Sequence, residues 1–592
     1  LNWRGVPVCP AAARALPPRR ALPAAALSVI LALGIAVPVP PAAAKQTAAK
    51  PQATASARLY GEYLAGRQAQ HRRDFTNAAQ FYERALAADP ASPELMSRTF
   101  LMQVFAGNFE RAASLARREL RRDPSDAVAH LVMVIDRMRA GDPAGATKAA
   151  AALPSDGVHR FIAPFALAWS RAAAGDLAGA ETALQGLDKF NGFEPLKVFQ
   201  LGLLYDHAGK PDKARQFYEK AAGTNDQLNW RVTDVVANFE ERQGRGEQAR
   251  ALYDRFLRQN GTSDLATAVA ALRAAGPAKP PVASPSEGLA AALFDLASVL
   301  NQPETIDLAL LYNRAALALR PQFPLAQLLL SDILSAQKKP EESLAVLREI
   351  PKDSPYYWSA QLRAAVNLDT LERTDEAAAQ LKAMAAENPN SIGSLITLGD
   401  ILRSRKRFAE AVEAYDEAIR RNEAAGLPEK WTLFYDRGAA LERSGQWERA
   451  EADLLKALEL NPDQPMVLNY LGYSWIDRGE HLERGMKMIE KAVELRPNDG
   501  YIIDSLGWAH YRMGDYEAAV EKLEKAVELV PEDPTINDHL GDAYWRTGRL
   551  TEARYQWRRA LQFGPQENEI KPIEAKIEHG LNVAVTPPGG GG

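Results

Sequence analysis

The chain has 592 residues, 46% of them hydrophobic, with 71 Lys+Arg against 75 Asp+Glu and a single cysteine, Cys9. A nearly balanced charge without Lys/Arg stripes argues against nucleic acid as a partner, and a lone thiol excludes a disulfide framework or a cysteine-based metal site. No stretch alternates apolar and polar residues as a half-buried strand does, so the chain reads as all-α.

At the amino end Arg4, Arg14, Arg19 and Arg20 precede an uncharged, mostly apolar run over 24–37, and Ala42-x-Ala44 follows it. A basic region, a short apolar run and small residues at a cleavage position predict a signal peptide over 1–44 and a periplasmic mature protein. The run is shorter than the roughly twenty residues that cross a bilayer, so no direct membrane association is expected. Cys9 stands before the run rather than after it, which is not the place of a lipoprotein's acylated cysteine. Residues 45–58 read as a disordered linker.

From residue 59 onward, apolar residues recur at helical spacing in paired segments separated by tight turns. Gly66, Ala78, Tyr82, Ala85 and Pro90 mark one pair, and Leu201, Gly202, Tyr205, Ala214, Tyr218 and Ala221 another. Residues 93–190 keep the same rhythm with fewer shared letters. Together these make an N-terminal array over 59–273. The segment AAGPAKPPVASPSEG, 274–288, is rich in Pro, Ala and Ser and reads as a linker. A C-terminal array follows over 289–565. Its frame shows in Leu398, Gly399, Ala411, Tyr415 and Ala418, then in Gly438, Ala450, Ala457 and Pro462, then in Leu471, Gly472, Trp475, Ala492 and Pro497. It is clearest in LGWAHYRMGDYEAAVEKLEKAVELVP (506–531) and LGDAYWRTGRLTEARYQWRRALQFGP (540–565). There Leu506/Leu540, Gly507/Gly541, Ala519/Ala553, Ala526/Ala560 and Pro531/Pro565 are each 34 apart. A polar helix over 566–581 is expected to cap the stack, and 582–592 to be disordered.

Leu-Gly, a downstream aromatic, two Ala and a closing Pro at these offsets resemble the tetratricopeptide repeat (TPR). The resemblance implies a right-handed TPR superhelix, an α-solenoid of helix-turn-helix repeats in two arrays, with about fourteen units. It also implies a scaffold that binds protein or peptide partners. The wording of the stretch 465–565, "LNYLGYSWIDRGEHLERGMKMIEKAVELRPNDGYIIDSLGWAHYRMG" within it, resembles exported bacterial TPR adaptors that partner a carboxyl-terminal processing protease. That resemblance implies a cell-envelope adaptor that presents substrates to a periplasmic protease. Assembly of secreted polysaccharide or envelope complexes is the alternative role.

Catalytic motifs are missing from the sequence: it has no HExxH, GxSxG, Walker loop or CxxC. His510 and His539 fall in adjacent repeats, but two histidines without a third ligand make a poor metal site. No cofactor, no metal and no enzyme activity are expected, and an enzyme with an unrecognised site stays open as an alternative.

Binding surfaces can be read from the repeat frame. With Leu-Gly at positions 7 and 8, positions 4, 7, 8 and 11 of each first helix pack inward, and 2, 5, 9 and 12 form the opposite stripe. That stripe holds Tyr435, Asn469, Tyr473, Tyr501, Asp504, Trp508, Tyr511, Asp538, Asp542 and Trp545, with Glu442, Met466 and Ile476 beside them. Aromatic rings for apolar side chains and Asn/Asp groups for peptide backbone suit a partner-binding groove. The same aromatics could instead brace neighbouring repeats. Acids stand where carboxylate-clamping TPR grooves carry Lys, so a terminal carboxylate is not the expected ligand. N-terminal sequencing of the native protein is expected to start near Lys45, on a protein recovered from outside the cytoplasm; an intact leader on a cytoplasmic protein would contradict the export reading.

Overall fold

The computed structural model describes residues 55–581 except 155–156, 158, 224–228, 261–268, 270–278 and 390. The expected signal peptide and the tail over 582–592 lie outside the described residues. Among those described, twenty-nine α-helices and no strand are found, as fourteen consecutive pairs and the helix Glu567–His579. Residues 93–190, where the repeat letters thin out, form three pairs beginning at Pro93, Ala127 and Ile162.

Each turn within a pair has a local cause. Gly514 takes φ +86°, a left-handed conformation that costs glycine little. The next residue, Asp515, then accepts the backbone N–H of Ala518 at 3.2 Å and caps the second helix. Asp74, Asp142 and Asp176 do the same for their helices. Within a pair, the position-8 glycine lets a large side chain of the second helix lie against the first helix's backbone. A Cβ on Gly541 would fall 2.5 Å from the Trp557 ring, and one on Gly399 would fall 2.4 Å from Tyr415.

The helices gather into two compact units, one ending at Glu387 and the other starting at Asn388. The division therefore falls elsewhere than at 274–288. Of that segment the described part, 279–288, already contains the start of the helix Pro285–Val299, with Ser284 accepting the N–H of Glu287 at 3.3 Å. Proline is compatible with a helix's first turn, where its missing N–H has no intrahelical partner. The run Gly288–Ala297 is buried at every residue, as an all-round apolar helix must be.

This helix packs on Ile162–Ala173 and Glu194–His207, and its partner Ile306–Leu319 packs on Pro93–Ala106 and Ala127–Arg139. The pair over 285–319 thus belongs to the first unit and closes one core running from Ala69 to Leu334. A buried polar chain crosses the junction. Trp169 donates to Gln200 at 3.0 Å, Gln200 donates to Asp295 at 2.8 Å, and Arg231 sits 3.3 Å from the same carboxylate. Burial pushes the Asp295 carboxyl up, against the pull of Arg231.

Trp557 is fully buried and cannot step aside from an added methyl. Gly541→Ala is therefore expected to cost about 1–3 kcal/mol by overpacking, read as a lower denaturation midpoint with unchanged helix content in the folded baseline.

Candidate functional site

The second unit presents first helices Gly393–Ser404, Trp431–Arg443, Pro465–Arg478, Gly500–Arg512 and Pro534–Arg546 in succession. All ten residues of the expected groove lie on the last four of these. Their surroundings differ from one repeat to the next, and the stripe is not one open aromatic surface.

Tyr435 is half-buried and meets Tyr470 of the next repeat edge-on, with centroids 5.8 Å apart. The Tyr470 hydroxyl in turn donates to Glu442 at 3.0 Å. Asn469 is half-buried, and its Oδ1 is enclosed without a hydrogen-bond partner. Tyr473 packs against the cluster of Ile476, Leu506 and Ala509, and burial raises its hydroxyl pKa. Ile476, placed on the stripe by its position, is 1% exposed and belongs to that inter-repeat core instead. Tyr501 is 55% exposed.

Asp504 is buried and lies 3.0 Å from Nδ1 of His539 in the next repeat. Trp508 stacks on that histidine at 4.0 Å and on Tyr511 at 4.7 Å, while its Nε1 is enclosed with no acceptor. Tyr511 accepts from Nε of Arg546 at 3.3 Å. The remaining three groove residues are covered by the chain itself. Lys576, on the helix Glu567–His579, places its ammonium 2.8 Å from Asp538 and 2.8 Å from Asp542. Asp542 also accepts from Nε1 of Trp557 at 2.9 Å. Trp545 lies 5.5 Å from Trp557, with the Arg554 guanidinium 5.0 Å from its ring.

Sequence reasoning missed position 6. Tyr470 and His539 both stand one residue before Leu, and both reach back onto the stripe of the preceding repeat. Asp436 holds the same position and pairs with Arg403 of the repeat before it at 3.2 Å. Arg403 is also 3.9 Å from Asp400, which accepts the Tyr415 hydroxyl at 2.7 Å. The signal was present as a polar or aromatic residue at one fixed offset, but its chemical type changes at every copy. Among the described residues no cluster of three or more His, Cys, Asp or Glu could hold a metal ion, and no helix is long and apolar enough to cross a membrane.

Burial makes several of these groups proton-holding. Asp436 is pushed up to about 7 by burial and by Asp400, against Arg403. Asp542 is pushed up to about 6 by burial and Asp538, against Lys576 and Trp557. Burial pulls His539 down, but Asp504 outweighs it and the ring ends above its usual value. In each case the folded chain takes its proton at higher pH than the unfolded chain, so protonation favours the fold. His539 contributes fully below about 6.5, the ordinary histidine value, and loses its contribution as pH rises through its folded value. The carboxyls add stability as pH falls from about 7 toward 4. Glu417, lowered to about 2 by Arg420 and Arg421, works in the opposite direction but only at more acid pH. The second unit is therefore expected to unfold at a higher temperature at pH 5.5 than at pH 8. Asp436→Asn should flatten that slope, and a midpoint that falls between pH 8 and 5.5 would contradict the arrangement.

Tetratricopeptide repeat models match residues 198–227, 362–426, 431–464 and 505–568. A TPR repeat-containing protein of Pseudomonas aeruginosa is 31% identical over 120 residues, which is 20% of this chain and 20% of that protein. The aligned region thus spans a fifth of the curated relative's length. Among solved structures, the APC/C hetero-tetramer Cut9–Hcn1 covers 88% of this chain and 96% of its own at 16% identity and a TM-score of 0.38. A tetratricopeptide repeat protein from Parabacteroides merdae covers 41% and 94% at 18% identity and 0.34. MamA from Desulfovibrio magneticus covers 29% and 94% at 22% identity and 0.25. At these scores the superpositions inform neither partner nor mechanism. The repeat models and the helix pairs agree on one point: this chain carries tetratricopeptide repeats, and they occur in both of its compact units.

Proposed function

We propose that this protein is a non-enzymatic scaffold that takes an extended segment of a partner protein on the inner stripe of its second unit, around Asn469, Tyr501 and Trp508. The observation that carries the reading is a pair of enclosed polar atoms without partners, the acceptor Oδ1 of Asn469 and the donor Nε1 of Trp508. Buried polar groups are nearly always hydrogen-bonded, and leaving one unmet costs about 1–3 kcal/mol. A partner's backbone carries N–H donors and C=O acceptors, the complements of the two atoms, and it meets them when the face opens locally. Tyr501 and Met466, 55% and 46% exposed, offer apolar contact alongside. TPR domains generally bind protein partners, which agrees with this use of the face.

The finer role is an adaptor of the bacterial cell envelope that presents substrates to a processing protease. Its support is the basic, apolar and Ala-x-Ala sequence of residues 1–44 and the resemblance of 465–565 to exported TPR adaptors. Periplasmic placement belongs to the same proposal.

Trp508→Phe keeps a ring to stack on His539 and removes the N–H. It should leave thermal unfolding nearly unchanged and weaken capture of the processing protease or its substrates from envelope extract by about tenfold, the worth of one hydrogen bond of roughly 1.4 kcal/mol. Equal capture by wild type, Trp508→Phe and Asn469→Leu would remove this face from the function. Recovery of polysaccharide synthase subunits in place of a protease would favour the assembly role.

A further inference from the structure

The helix Glu567–His579 occupies the inner face of the last repeat. Besides the two Lys576 contacts, Ile573 is 3% exposed, and Ile577 and Leu581 pack against the same buried cluster as Tyr511 and Trp545. Gly580 runs so close to Trp545 that a Cβ there would lie 2.0 Å from the ring. Nε of Arg554 donates to the carbonyl of Ile577 at 3.1 Å. The covered side chains hold positions 5, 9 and 12, and one repeat earlier His539, at position 6 of the following repeat, meets positions 5 and 9, Asp504 and Trp508. The helix therefore fills a slot shaped for a neighbour, but it is not itself a repeat helix.

Two features make it a weak occupant. Pro572 stands inside it and removes a backbone hydrogen bond, and thirteen residues are too few for a helix to persist unsupported. Its hold on the repeat is concentrated in one charged side chain and a short apolar edge. The slot keeps an unmet acceptor even when filled: with the helix in place Asp542 is buried, and Asp538 keeps an enclosed Oδ1 with no partner.

We propose that Asp538, Asp542 and Trp545 form a binding site for a lysine-bearing amphipathic helix of a partner protein, kept closed by the chain's own Lys576 helix until the partner's helix replaces it. The charge pairing commits the site to an ammonium, and the apolar edge commits it to a helix carrying aliphatic residues three before and one after that lysine. This site is separate from the Asn469–Trp508 pair and does not depend on an extended segment binding there.

The probe is a labelled synthetic peptide of residues 566–581, added to the full chain. Lys576→Glu sets a third carboxylate beside Asp538 and Asp542 and should release the helix, read as faster hydrogen exchange over 567–579. That variant should bind the peptide saturably. The wild-type chain should bind it about a hundredfold more weakly or worse, because its tethered helix competes at high effective concentration. The same peptide with glutamate at the lysine should not bind. Adding Asp542→Asn, which can still accept from Trp557, should lower peptide affinity at least tenfold. Lys576→Gln is the milder variant should Lys576→Glu lose helix content in circular dichroism. A released helix with no peptide binding, or binding indifferent to the peptide's lysine, would overturn the proposal. So would a wild-type dimer in sedimentation that exchanges its last helices, which would make a second copy the occupant.

Discussion

The structure rests on an absent Cβ. Where Gly202, Gly399 and Gly541 stand in a first helix, Tyr218, Tyr415 and Trp557 of the second helix lie against bare backbone. That approach fixes how each first helix is rotated, and the rotation decides which residues reach the preceding repeat and which form the stripe. The buried ring also carries a polar tip that must find an acceptor. Tyr218 reaches Asp206, Tyr415 reaches Asp400, and Trp557 reaches Asp542. Part of the acidity of the stripe is thus a consequence of core packing: these acids receive the core aromatics before they meet any partner.

The two units use the stripe differently. In the first, the pair over 285–319 lies on helices laid down well before it in the sequence, and surface that a solenoid would leave open has become core. In the second, three repeats lean on the one before through position 6, by Asp436, Tyr470 and His539, and among the described residues the last repeat is covered by the helix Glu567–His579. Bracing and binding are therefore not exclusive uses of the aromatics. Trp508 braces through its ring face against His539 and leaves its N–H unspent.

Most of the local architecture was legible in the sequence because it is written with a short period. Helices, turns and pairs follow from Leu-Gly, Gly-Asp and the closing Pro where these recur, and from helical spacing alone where, as over 93–190, the letters thin out. What depended on distance was not legible. Residues 274–288 read as a linker by their Pro, Ala and Ser content, while the apolar run starting at Gly288 is hydrophobic all round and is buried on every side. The stripe itself follows from the repeat frame, yet its state does not. Nothing local marks Lys576 as the partner of Asp538 and Asp542, and nothing local says that Tyr501 stays open while Ile476, at an equally eligible position, is buried.

The closure of the first unit bears on how this chain can change over generations. An open solenoid has nearest-neighbour energetics, so a unit can be duplicated or lost with little penalty elsewhere. Here Gln200 is tied to Asp295, and His159 to Tyr312, across 95 and 153 residues. Inserting or deleting one repeat between those anchors would carry each partner past its mate and break the shared core. Repeat number in the first unit is consequently frozen, and its contacts of large sequence separation make its folding slow and all-or-none rather than progressive. In the second unit the comparable long tie, Lys406 to Gln566 across 160 residues, is an exposed contact outside the core, so that unit is the more tolerant of a change in length.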